Sequence, residues 1–158
     1  MVKINGFTYL EIVIVIVILG ILAGFGITSY PGVQKQARDG KRLSDLKQYQ
    51  TALENYAGSH GGFYPSMTGE TPAESLCAYF GMTQCAADPK SGENVCMSGV
   101  CNYFYQSNGS GSGTSTALQF VLYSRLEKKE GYWVYCSNGA SGVASATTTF
   151  GSGSCPSF

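Results

Sequence analysis

A single carboxylate, Glu11, stands at the head of an apolar run, residues 12–27, that only Gly20, Gly24 and Gly26 interrupt. Carrying such a group into hydrocarbon costs on the order of a few kcal/mol, less near a helix end that reaches water, so a cation must offset it. Six cysteines, Cys77, Cys85, Cys96, Cys101, Cys136 and Cys155, all follow that run. The one histidine, His60, lies in the glycine-rich "GSHGG". These residues could support charge pairing in a low dielectric, disulfide chemistry and, with partners, proton transfer.

The elements that must position them can be read from pattern. The β-branched Ile and Val of residues 12–27 suit a strand by propensity, but length argues for helix: residues 7–30 span roughly 36 Å at about 1.5 Å per residue, enough for a hydrocarbon core of ~30 Å. In lipid the backbone must satisfy its own hydrogen bonds, which also selects helix. Lys3 ahead of the run predicts a cytoplasmic N-terminus. A cleaved secretory signal has the same outline, but the basic region is short, Glu11 interrupts, and no clear A-x-A site follows. An ordinary uncleaved anchor also fits.

Farther along, Leu43, Leu46, Tyr49, Leu53, Tyr56 and Ala57 share one helical face that predicts packing on a sheet. The intervening "QKQARDGKR" (residues 34–42) is polar all round, so it is expected to be a solvated neck or a charged contact between subunits rather than core. Residues 67–100 read as a cysteine-bearing loop that wraps the sheet, with one short helix near residues 74–80. Strands are expected at residues 101–106, 117–126 and 131–136, with a fourth near 143–150, in an antiparallel meander. The Gly/Ser tract of residues 107–116 has linker composition, but the short strands flanking it favour a hairpin loop. Tyr103, Phe104, Tyr105, Tyr132 and Trp133 could form a carbohydrate platform, yet hairpin packing explains them more simply.

Ten basic and ten acidic side chains balance, and after residue 57 the count is four basic to six acidic. No nucleic-acid partner is expected, because Asp39 and Asp45 interleave Lys35, Arg38, Lys41 and Arg42 and no aromatic platform accompanies them. The cysteines' position downstream of the apolar run implies an oxidising exterior. They allow 15 pairings, of which Cys96 with Cys101 and Cys136 with Cys155 are the expected ones. A thiolate zinc site would need irregular spacing without C-x-x-C. With no G-x-S-x-G, H-E-x-x-H or phosphate loop present, and His60 reading as a solvent-facing helix end, no catalytic residue, cofactor or metal is expected.

"GFTYLE" followed by an Ile/Val/Leu run resembles the prepilin-type signal of type IV pilins and pseudopilins. The resemblance implies cleavage between Gly6 and Phe7, N-methylation of Phe7, and Glu11 as the residue that guides subunit assembly. "GGFYPS" at residues 61–66 and "ADPKSG" at 87–92 are similar to the post-helix Y-P and the D-P loop of bacterial pseudopilins. Major pseudopilins usually carry a calcium-binding acidic loop near the C-terminus, but residues 137–158 hold no Asp or Glu, so calcium is not carried over.

An amine on Phe7, with an ordinary pKa of about 7.7 to 8.0, would be the cation nearest Glu11. Phe7 and Glu11 are i,i+4, so the carboxylate can meet its own amine or a neighbour's, or can serve only the helix dipole, worth roughly 0.3 to 1 kcal/mol. Gly20 and Gly24 form a small-xxx-small pattern that lets helices approach closely. Gly24, Gly26, Pro31 and Gly32 together predict a kink or locally unwound stretch.

The expected fold is α+β: a long N-terminal helix, membrane-spanning first and amphipathic second, on a small antiparallel sheet of three or four strands. Its parts are a leader (1–6), a membrane or filament-core helix (7–30), its amphipathic continuation (31–57) and a disulfide-containing head (58–158). The expected function is a prepilin, trimmed and methylated by a prepilin peptidase and methylase, then polymerised by an inner-membrane machinery into a homo-oligomeric helical pilus. Before assembly it would be a single-pass protein of the cytoplasmic membrane, and afterwards an extracytoplasmic or surface filament. A type II secretion pseudopilin is the alternative, and a monomeric anchored binding module is the alternative of another class.

Overall fold

The chain is described by a computed structural model over residues 6–97 and 99–158, excluding the side chains of residues 26–29. Expectations for Lys3 and the rest of residues 1–5 lie outside the described residues, as does the side-chain environment at positions 26–29. One helix, α1 (Tyr9–Ser59), holds Pro31 in its interior, and the chain divides into two compact units, Met1–Lys35 and Gln36–Phe158.

In the first unit the helix is apolar around its circumference. Leu10, Ile16, Leu19 and Leu22 each expose more than half of their surface. A helix that is hydrophobic all round requires a covering environment. Among the described residues no single helix is long and apolar enough to cross a membrane, although Tyr9–Phe25 and Tyr30–Ser59 pass by length and composition as a pair.

In the second unit, α1 residues Leu46, Tyr49, Leu53 and Ala57 are buried at 3.6-residue spacing. Among the described residues seven strands follow: β1 (Tyr64–Met67), β2 (Thr71–Pro72), β3 (Tyr103–Ser107), β4 (Ser112–Ala117), β5 (Phe120–Arg125), β6 (Tyr132–Cys136) and β7 (Ser141–Ala144). They form a five-stranded antiparallel sheet, ordered β2-β3-β5-β6-β7, and a separate β1-β4 pair. The α+β architecture is as the sequence implies, but the strands outnumber the three or four expected. The excess comes from segments without strand-like composition. Gly/Ser-rich β4 is drawn into pairing by β1, whose Tyr64 faces Ala117 in the register, and proline-containing β2 pairs with β3 at the sheet edge. The short helix near residues 74–80 is a 3-10 helix, Ala73–Ala78.

The sheet is buried on both faces, which the period of two converts into two distinct cores. Tyr103, Tyr105 and Leu122 face α1 with Phe120 and Tyr64, whereas Phe104, Val121, Tyr123, Tyr132 and Val134 line the opposite side. Phe150 covers that second side, stacking on Tyr123 at 3.9 Å between ring centroids. These contacts assign the chain's aromatic residues largely to packing.

The cysteines pair Cys77–Cys85, Cys96–Cys101 and Cys136–Cys155, and no cysteine is free. The last bridge spans 19 residues and ties the segment bearing Phe150 to β6. Loop-closure entropy makes a ring of that size worth about 3 kcal/mol. Replacing Cys136 and Cys155 together with serine should therefore lower unfolding stability by about 3 kcal/mol in urea titrations of the full chain.

Candidate functional site

The candidate assembly site begins with the sequence Thr8-Tyr9-Leu10-Glu11. Thr8 precedes the first helical residue, and Glu11 lies three residues after it, the spacing of a capping box. The contacts are reciprocal. The Glu11 amide donates to Thr8 Oγ1 at 3.3 Å, while the Thr8 amide and hydroxyl both donate to Glu11 Oε2 at 3.2 Å. The carboxylate is thereby folded back to within one residue of Phe7, where an amine would lie in a trimmed chain. Both intrachain contacts fall on Oε2, so among the described residues the second oxygen remains available to another donor. The role of Thr8 was absent from the sequence reading, although the T-x-x-E pattern carried it.

Gly6 and Phe7 are exposed, Phe7 by 83 %. A Cβ built on Gly20 or Gly24 meets nothing within 4 Å, so among the described residues nothing demands glycine at either position. Close approach of another helix would give them a reason.

The head holds a second cluster, which corrects the expectation of a solvated neck. Arg42 is fully buried. It donates bidentately to Asp88, at 2.6 Å from Nε and 2.8 Å from Nη2, and contacts Asp39 at 2.8 Å and Glu127 at 2.8 Å. Arg38 grips the same Glu127, 2.8 Å from Nε and 2.6 Å from Nη2. Asp39 in turn accepts the backbone amides of Glu127 and Lys128 at 2.9 and 3.0 Å, and buried Asp45 accepts the Tyr103 hydroxyl at 2.8 Å. Helical spacing puts Arg38, Asp39, Arg42 and Asp45 on one side, so polar residues extend the apolar stripe toward the D-P loop and the β5–β6 turn.

The electrostatics follow from this geometry. Burial opposes the Arg42 cation, but hydrogen bonds to Asp88 and Glu127 and the Asp88 charge outweigh it, raising the pKa above its ordinary value. Hydrogen bonding from Arg38, against burial and with help from Arg42, holds Glu127 at about 2. Its native pKa lies below the unfolded value of about 4.3, so the stabilisation is complete above that value and fades as pH falls toward 2. Urea midpoints of the full chain should fall progressively between about pH 5 and pH 2, and Glu127→Gln should flatten that limb.

Asp39, Asp88 and Glu127 converge, but on guanidinium groups. Residues 137–158 offer no side-chain carboxylate, so the calcium loop usual in major pseudopilins does not fit this chain. His60 sits at the exposed end of α1, stacked on Tyr56 and bonded through Nδ1 to Ser59 Oγ and the Tyr56 carbonyl.

Comparison with known proteins adds the remaining observation. The chain is 34% identical over 87 residues to the type II secretion system core protein G of Aeromonas hydrophila, covering 55% of this chain and 57% of that relative. It is 41% identical over 54 residues to the protein of that name from Vibrio cholerae, covering 34% and 37%. The match to the Pectobacterium carotovorum protein is 43% over 52 residues, covering 33% of each chain. The chain is thus similar, over part of its length, to proteins of type II secretion systems. It spans between one third and somewhat over half the length of these relatives. No family model matches it, and no solved structure does.

Proposed function

We propose that this pilin-like chain is a structural, non-catalytic filament subunit: anchored in the cytoplasmic membrane, cut between Gly6 and Phe7, methylated on Phe7 and polymerised through its N-terminal helix. The observation that carries the proposal is an apolar helix that leaves Leu10, Ile16, Leu19 and Leu22 largely exposed and whose first turn ends in Glu11, folded back toward Phe7. Such a helix needs lipid before assembly and other copies of itself afterwards. In the filament the Phe7 amine of an incoming subunit would meet Glu11 of its neighbour, removing two charges' worth of penalty from the apolar core.

Gly20 and Gly24 are assigned to close packing between neighbouring helices, and Gly24, Gly26 and Pro31 to a stretch that can lengthen under load. A prepilin peptidase with methylase activity and an inner-membrane assembly machinery are the partners this pathway requires. The relatives' name favours a short filament of a type II secretion system over the long surface pilus.

Expression with an assembly machinery, followed by shearing and electron microscopy, tests the proposal. Filaments built from this chain are expected, and their confinement to the envelope would mark the secretion form. Chains that stay monomeric in the membrane despite normal trimming would refute polymerisation and favour an anchored binding module.

A further inference from the structure

The three disulfides of the head differ in what surrounds them. Cys96 and Cys101 are both buried, 6 and 0 % exposed, so the fold shields their bridge. Cys155 is partly exposed, but its partner Cys136 is 1 % exposed in the core that holds Val121, Tyr123 and Val134. Attack on Cys155 would expel a thiolate into apolar surroundings, where burial raises its pKa and makes it a poor leaving group. Cys77 and Cys85 are both partly exposed, so either sulfur can be attacked and either can leave into water.

The surroundings of this exposed pair also let it open alone. Cys85 lines a cleft with Phe80 and Met82, facing Gln48, Tyr49 and Ala52 of α1. Upstream the chain is anchored by buried Leu76, and downstream by buried Asp88 on Arg42. Between these anchors it is lightly held. Among the described residues, positions 83–87 make one hydrogen bond, from the Tyr49 hydroxyl to the Ala86 carbonyl at 2.7 Å. Segments with so few bonds open locally at low cost.

We propose that Cys77–Cys85 is a site of thiol–disulfide exchange, reduced by an external dithiol while the other two bridges stay closed, and that its reduction releases residues 83–87 from α1. From the cleft, a thiolate of the dithiol attacks Cys85 Sγ. The S–S bond breaks and its electron pair leaves on Cys77, which takes a proton from water. The second thiolate then attacks the dithiol's own sulfur in the mixed disulfide, expelling Cys85 as a thiolate that is protonated in turn. The dithiol has lost two electrons and the cysteine pair has gained them. Release of the segment uncovers Tyr49, which is 3 % exposed in the closed head, so one bridge sets whether this face of α1 is covered. The exchange does not depend on polymerisation.

The full chain in detergent micelles is incubated with graded dithiothreitol, quenched with iodoacetamide and mapped by peptide mass. Cys77 and Cys85 are expected to be alkylated about ten-fold faster, or more, than the other four cysteines. In the chain alkylated at those two positions, hydrogen exchange at residues 83–87 should rise about ten-fold while β3 and β5 keep their protection. The double variant Cys77→Ser with Cys85→Ser should show the same rise without an adduct.

Opening of all three bridges at one rate, or of Cys136–Cys155 first, overturns the proposal. Reduction of Cys77–Cys85 only together with loss of protection in β3 and β5 overturns it too, because the pair would then open by global unfolding. Selective alkylation with unchanged exchange at residues 83–87 contradicts the release.

Discussion

Glu11→Gln is expected to be trimmed at Gly6 and methylated normally, yet to lose filament assembly almost as completely as Glu11→Ala. Glutamine retains an oxygen for the Thr8 contacts, so the cap survives, whereas the charge that would attract a neighbour's amine is gone. If that pair is worth about 2 to 3 kcal/mol in the low-dielectric core, each subunit addition weakens roughly 30- to 100-fold. Thr8→Ala is the complementary variant: it removes the cap, worth about 1 kcal/mol, and keeps the charge. Quantifying sheared or pelleted filament against total mature subunit separates the two roles. Strong assembly by Glu11→Gln with loss in Thr8→Ala would mean that Glu11 serves helix capping alone.

Arg42→Met should be the most damaging single change in the head. It removes the cation on which Asp39, Asp88 and Glu127 converge, leaving Asp88 without its bidentate partner inside the fold. Breaking a buried pair from one side typically costs about 3 to 5 kcal/mol. Arg42→Lys should recover only part of the loss, because an ammonium cannot offer Asp88 two parallel donors. Denaturant titration of the full chain, followed by Trp133 fluorescence, measures both. A loss below about 1 kcal/mol for Arg42→Met would show that the cluster does not hold the head together.

What the sequence disclosed and what it withheld divide along physical lines. The apolar helix was legible because its length and composition have few interpretations, and β3, β5 and β6 were legible because their aromatic and β-branched residues suit a pleated sheet packed on both faces. Residues 112–116 were misread as loop, since glycine, serine and threonine form β4 only when Tyr64–Met67 supplies a partner. Arg42 was misread as solvated because no local pattern distinguishes a charged residue facing water from one facing Asp88, 46 positions away. The Asp-Pro of residues 88–89 stood out as a motif, but the work of its carboxylate depends on a tertiary contact. In the assembly site Glu11 was conspicuous by its surroundings, while Thr8 became evident only through the reciprocal bonds of the first turn.

The account rests on proteolysis at Gly6 creating a cation beside the carboxylate of Glu11. Intact-mass and N-terminal analysis of the protein, recovered from membranes of cells with an active prepilin peptidase, tests this most directly. The expected first residue is Phe7 bearing one methyl group on its amine. A chain that keeps Met1, or one that begins within or beyond the apolar run, would contradict the account.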